Sequence, residues 1–167
     1  PVAPTSLHMI GSASLLHSPL TALFCSARTP GLAILRAHDT ARRLRDKGVT
    51  VISGFHSDIE KECFGILLRG RQPIIYCHAR RLNGMRILEV WREAIDEGRL
   101  LILSPFTTAR RLSTTLAARR NEFVAALADK VFIAHITPGG KTETLQRRLE
   151  EWGVSLLQTE IMKGSVE

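Results

Sequence analysis

Aromatic residues make up only 5% of this 167-residue chain: six Phe, two Trp and one Tyr. So few rings exclude a nucleic-acid platform built on many stacked bases. Cysteine is also scarce. Cys25, Cys63 and Cys77 are odd in number, no CxxC pair occurs, and Cys25 and Cys77 sit inside apolar runs. This pattern argues against a zinc site and for a reducing compartment, so a cytoplasmic location is expected and no metal or cofactor is. No apolar run approaches the ~18 residues a membrane span needs, and no basic leader precedes a signal-like core, so no membrane partner is expected. Carboxylates are outnumbered, 16 against 23 Lys plus Arg, for a net charge of +7. A basic surface attracts polyanions: nucleic acid, acidic headgroups or nucleotides. A chain of this length can bury about 68–70% of its unfolded surface, so a core forms without disulfide or metal.

What is present is a rhythm. Residues 1–19 are rich in Pro, Ser and His and predict an irregular lead-in with a short helix or turn around 7–16. From there apolar runs at 21–26, 49–54, 73–79, 99–106 and 130–137 alternate with helical patterns at 31–48, 57–70, 86–98, 109–129 and 140–153. Leu32, Leu35, Ala41 and Leu44 mark the expected apolar face of the first helix, and Gly48 its stop. Ser57 with Glu60 forms a capping box opening the second. "SLLQT" (155–159) reads as a last strand. Strand and helix alternating at intervals of about 25 residues predict βαβ units. The strands are continuously apolar, as expected when helices cover both faces. The fold class is therefore α/β, a three-layer sandwich with a mostly parallel sheet of about six strands. It forms one domain over 20–160, followed by a tail at 161–167.

Ligands of such sheets bind beyond the carboxyl ends of the strands. That rule nominates the loops 26–31, 53–58, 78–84, 104–111 and 137–142. Together they hold Arg28, His56, His78, Arg80, Arg81, Arg110, Arg111 and Lys141 against one carboxylate, Asp58. The strand-end rim suits a phosphate-bearing ligand.

Within that rim, "TPGGKT" (137–142) fails as an ATP-binding P-loop, because His135 stands where the first Gly is required. Two readings remain: an anion-cradling loop formed by Gly139, Gly140, Lys141 and Thr142, or a plain tight turn. "SARTPG" (26–31) lacks a dinucleotide fingerprint; Ser26 and Arg28 either grip a phosphate or make a polar turn. His56 is a general acid or base, or an exposed bystander. Arg119, Arg120 and Asn121 form a solvated helix face, or Asn121 anchors a loop while the arginines contact phosphate. Phe55 and Phe106 are the rim rings available for stacking.

Taken together, "IGSASLLHSPLTALFCSARTPG", "VTVISGFHSDIEKECF", "GRLLILSPF" and "RRNEFVAALADKVFIAHITPGGKTETL" resemble the Rossmann-like domain of DNA-processing protein A (DprA/Smf) over about residues 10–158. Ser26 and Arg28 fall at that family's Gly-Ser-Arg turn, with Cys25 in place of the first-turn Gly. Ser53 and Gly54 match its Ser-Gly loop, and Arg120 and Asn121 its Arg-Asn pair. The resemblance implies a Rossmann-like fold, single-stranded DNA held along a basic pocket, loading of a RecA-type recombinase, and a homodimer. A sister group, the LOG-type nucleotide phosphoribohydrolases, carries PGGxGTxxE. Here Leu145 occupies the Glu position and Glu143 is out of register, which argues against catalysis. The expected function is thus a non-enzymatic protein that binds a phosphate-bearing ligand, single-stranded DNA first, in DNA processing or recombination. A LOG-like nucleotide binder or hydrolase is the alternative, and a partner-docking module the third reading.

Overall fold

A computed structural model describes Pro4, residues 6–154, Leu156 and Leu157. Among the described residues six strands and five α-helices run in the order β1 (His8–Ile10), β2 (Leu20–Phe24), α1 (Gly31–Asp46), β3 (Thr50–Ser53), α2 (Asp58–Leu68), β4 (Ile74–Cys77), α3 (Glu89–Asp96), β5 (Leu100–Ser104), α4 (Thr114–Leu127), β6 (Lys130–Ile133) and α5 (Lys141–Glu151). They build one six-stranded sheet of order β1-β5-β4-β3-β2-β6. All neighbours are parallel except β1, which runs antiparallel to β5 with Met9 opposite Leu103.

Alternate residues of the buried strands feed two cores. Leu23, Val51, Ile74, Leu100, Ile102 and Phe132 face α1, α2 and α3, where they meet Ala37, Ala41, Phe64, Leu67 and Ala94. Ala22, Phe24, Ile52, Ile75, Leu101 and Val131 face the other way, onto Val124 and Ala125 of α4 and Leu145 and Leu149 of α5. Both faces of the sheet are therefore dry, which explains why its strands are apolar without alternation. Each large aliphatic side chain so buried stabilises the fold by roughly 1.5–3 kcal/mol.

The three-layer α/β sandwich matches the expectation, and three details do not. The lead-in contributes a strand: His8–Ile10 pairs at the sheet edge, and Ala13–His17 forms a 3-10 turn whose Leu15 plugs the second core. The sixth strand is thus at the amino end. Leu156 makes only an isolated bridge to Val131, and residues 155, 158 and 159 of the expected last strand, like the tail at 161–167, lie outside the described residues. The apolar face of α1 is also rotated from the expected one. Leu32 and Leu35 are 64% and 60% exposed, while Ala33, Ala37, Thr40, Ala41 and Leu44 are buried. Small residues there let the helix lie close to the sheet.

Strand order sets the ligand position. From β2 the chain steps outward through β3, β4 and β5. It then returns through α4 to place β6 on the other side of β2. The carboxyl ends of β2 and β6 therefore flank the topological switch point.

Candidate anion-binding site at the switch point

The loops leaving β2 and β6 are tied together across this point. Ser26 is its hub. Its amide donates to the His135 carbonyl at 3.3 Å, its hydroxyl accepts from the Thr137 amide at 3.1 Å, and the hydroxyl donates to Thr142 Oγ1 at 3.0 Å. The Thr137 hydroxyl returns a bond to the Arg28 carbonyl at 3.0 Å. Ser26 is buried, so its side chain orders the loops beneath the surface.

Beyond these loops opens a cavity of about 950 Å³. Its wall includes Ala27 and Arg28 after β2, His56 to Asp58 at the start of α2, Ser113 and Thr114 at the start of α4, and Thr137 to Thr142. Three helix amino-termini thus meet around one space. Each presents amide N–H groups and the positive end of its dipole.

They are not equally available. At α2 the Ser57 hydroxyl accepts from Glu60 N at 3.2 Å, closing the expected capping box. At α4 Ser113 accepts from Leu116 N at 3.1 Å. The α5 end has Gly140 as its N-cap and no side-chain cap. The backbone there needs its glycines: Gly139 has φ +71°, and a Cβ on Gly140 would stand 2.8 Å from the Thr137 carbonyl oxygen. The loop is held from outside the cavity by Glu143, whose carboxylate accepts from Gly139 N at 2.9 Å and pairs with Arg147 at 3.3 Å. Lys141 and Thr142 line the cavity and Glu143 does not.

The cavity wall carries Arg28, Arg120, Lys141 and Arg148 together with Asp58, Glu60 and Glu122. All three carboxylates are already engaged, Asp58 by Lys61 at 3.1 Å. Glu122 pairs with Arg148 at 2.5 Å. Glu60, only 5% exposed, accepts from Cys25 N at 2.9 Å, His56 N at 2.8 Å and Ser57 N at 3.2 Å. Arg28 and Lys141 are exposed and form no ion pair among the described residues. The free charge facing the cavity is therefore positive. Ala117, Ala118, Leu112 and Leu145 give it an apolar side.

Several expected site residues lie beneath it. Ser53 is fully buried, its hydroxyl donating to the Leu23 carbonyl at 2.6 Å and accepting from Phe55 N at 3.2 Å. Gly54 is where the Arg120 guanidinium rests: a Cβ at Gly54 would fall 1.9 Å from Arg120 Cζ. The Ser-Gly pair thus shapes the floor and touches no ligand space. Arg120 is 4% exposed and is not a surface phosphate contact. It donates from Nη1 to the carbonyls of Gly54 and Cys77 at 3.3 and 3.4 Å and from Nε to Asn121 Oδ1 at 2.8 Å. Asn121 consequently anchors the arginine rather than a loop. An arginine on the buried face also accounts for the broken apolar period of α4. Phe55 is 1% exposed, with φ +43°, and its ring stacks on Phe64 with centroids 4.6 Å apart. It belongs to the core and is no rim stacker. Phe106 remains half-exposed at the rim.

His56 is exposed on the cavity wall. Partial burial, and then Arg120, hold its pKa below the usual histidine value. His78, under β4's end, is pushed down to about 4 by burial and by Arg80 and Arg120. Both rings are neutral at pH 7. Burial pushes the Cys63 and Cys77 thiols up to about 12, and Cys25, 6% exposed, is raised as well, which disfavours the reactive thiolate at all three.

Glu122, Arg148, Ser113 and the reach of Glu60 are additions to the site residues expected from the sequence. Glu60 carried a signal, the Ser57-x-x-Glu60 spacing, which predicts the cap but not the bond to the Cys25 amide. Glu122 and Arg148 lie on separate helices, and no local spacing announces their meeting.

The profile of a family described as DNA recombination-mediator protein A matches residues 1–147. Among solved structures, DNA processing protein A from Helicobacter pylori, described for its single-stranded DNA binding mode, superposes with a TM-score of 0.75 at 20% identity, over 95% of this chain and 74% of that one. DNA processing protein A from Streptococcus pneumoniae gives 0.76 at 19% identity, over 97% of this chain and 58% of that one, so the chain spans little more than half of that protein. A molybdenum cofactor binding protein from Rippkaea orientalis gives 0.58 at 10% identity, over 83% of this chain and 74% of that one. At these identities the likeness is one of fold. No curated protein matches the sequence.

Proposed function

Given that the chain belongs to the DNA recombination-mediator protein A family, we propose that it binds single-stranded DNA through the switch-point cavity and serves DNA processing. The observation that supports this best is the uncapped amino-terminus of α5 beside Lys141 and Arg28, two cations with no carboxylate partner among the described residues. In this reading a backbone phosphate sits on the α5 amides between those two side chains. Thr142 is its hydroxyl donor, and Arg120 supplies positive potential from below. His56, neutral at pH 7, offers a hydrogen bond rather than a charge. Ser26, Ser53, Gly54 and Asn121 act by holding the loops.

This reading is one of binding and assigns no chemical step to the cavity residues. The LOG-like alternative is not favoured: Glu143, its candidate carboxylate, is engaged by Gly139 and Arg147 away from the cavity. The same reading takes the chain as one binding domain, working as a homodimer in the cytoplasm and handing its strand to a RecA-type recombinase.

Fluorescence anisotropy with labelled oligo-dT tests the proposal. Affinity should fall steeply with salt. Lys141→Ala and Arg28→Ala should each lower the log–log salt slope by roughly 0.7, the value per phosphate contact on a single strand. Binding indifferent to salt, or a mononucleotide that competes on equal terms with the oligonucleotide, would overturn it.

A further inference from the structure

The positive charge of the strand-end rim divides in two, and of its Lys and Arg residues only Arg28 and Lys141 line the cavity. The β4 loop (residues 78–88) carries Arg80, Arg81 and Arg86, and the β5 loop (residues 104–113) carries Arg110 and Arg111. Neither loop contains a single Asp or Glu. None of the five arginines lines the cavity, and none forms an ion pair among the described residues. Four are exposed and Arg81 is half-buried.

The two loops are joined into one surface. Arg81 N donates to the Ala109 carbonyl at 2.8 Å, directly before Arg110, and His78 N donates to the Leu103 carbonyl at 2.7 Å. Arg80 is steadied by its Nε bond to His78 Nε2 at 3.0 Å, an acceptor that exists only on a neutral ring. Half-exposed Phe106 lies in the same surface, with the Arg119 guanidinium 6.0 Å from its centroid. Leu112 and Ser113, which follow Arg111 in the chain, are already cavity wall. The loop that carries Arg110 and Arg111 therefore leads directly into the cavity wall.

Like charges gathered without counter-ions repel one another, and a polyanion relieves that repulsion. We propose that this band is a second, outer subsite, which holds the phosphates of a single strand after it leaves the cavity, with Phe106 as a stacking surface for one of its bases. The inference rests on the single-stranded DNA reading above. It adds that affinity depends on strand length, because a short oligonucleotide fills the cavity and only a longer one reaches the arginines.

The test compares oligo-dT of about 6 and about 30 nucleotides, one near the short end of ordinary single-strand sites and one well beyond them. The proteins are the full chain and a triple variant, Arg80→Ala, Arg110→Ala and Arg111→Ala, whose side chains are exposed and leave the core intact. The long strand should lose tenfold or more in affinity, and its salt slope should drop by about 2, three contacts at ~0.7 each. The short strand should be unaffected. The matching Arg→Lys triple variant should recover most of the loss, which separates charge from folding. An equal loss for both lengths, or no loss for either, overturns the outer subsite. So does a band that holds polyglutamate as firmly as the long strand, for its partner would then be an acidic polypeptide. Lys141→Ala must weaken both lengths; if it weakens neither, the cavity reading fails whatever the arginine variant does.

Discussion

Gly54→Ala is the sharpest perturbation the structure offers, because it adds one methyl group against a buried cation. The new Cβ would stand 1.9 Å from Arg120 Cζ and 2.0 Å from Nη1. Atoms at that distance cannot coexist, so the guanidinium must leave. The cavity that Arg120 already lines offers it room, and moving there keeps its charge solvated but breaks the bonds from Nη1 to the Gly54 and Cys77 carbonyls. Hydrogen bonds from a charged donor contribute about 1.5–3 kcal/mol each. Both of these are long, at 3.3 and 3.4 Å, so the lower end applies. The expected cost is about 3 kcal/mol, or roughly 6–12 °C in Tm for a chain of this size. Urea denaturation measures it, and a double-mutant cycle identifies its origin. Arg120→Ala costs stability by itself, since two buried carbonyls lose a donor. In that background the three atoms nearest the added methyl group are gone, so the double variant should be no less stable than Arg120→Ala alone, a coupling of about 3 kcal/mol in magnitude. Additive costs would refute the reasoning, because Gly54 would then be required for something other than Arg120. Oligo-dT affinity should fall as well, since the displaced side chain enters the ligand space.

Two further outcomes follow from partly or fully buried groups at the strand-end rim. Glu60→Gln replaces an acceptor-only carboxylate that holds three amides with a group whose NH₂ must face at least one of them; a loss of about 2 kcal/mol by urea unfolding is expected, and a change below ~0.5 kcal/mol would show that these bonds do not hold the two loops together. The His78 pKa, near 4 in the folded chain, lies below the usual 6.5, so between those values the unfolded state binds a proton that the native state refuses; stability should therefore be full above about pH 6.5, decline as pH falls toward 4, and decline less in His78→Asn, as read from Tm across that window, whereas identical profiles would exclude His78 as the source.

The architecture was legible because the strands are buried on both faces. Runs such as "LLIL" and "PII" are apolar at every position, and glycines or capping serines punctuate the helices between them. The Ser57 to Glu60 spacing even located a helix start to the residue. What failed did so for steric reasons. Leu32 and Leu35 have the right period for a buried stripe, yet the alanines one step round the helix are what a close helix–sheet approach selects. Three-residue β1 has no room for a pattern to show. The composition of the site was readable, its depth less so. Arg28, Lys141 and Gly139–Gly140 lie where strand-end logic put them, whereas Arg120, Ser53 and Phe55 share the same loops or the facing helix but point inward. A motif carries the identity of such residues but not the direction of their side chains, which is settled by contacts with β-strand carbonyls far away in the chain.

The bond between the Ser26 hydroxyl and the Thr137 amide joins residues 111 positions apart. The cavity consequently has no local precursor: a nascent or truncated chain that has not yet placed β6 beside β2 presents the first loop's Arg28 but no α5 terminus opposite it. Such long-range pairing is slow to find and is formed late in the search for the native state. Any anion that recognises the finished cavity binds the native chain alone, and so draws the folding equilibrium toward completion by mass action. Competence to bind and completion of the fold are, at this seam, one event.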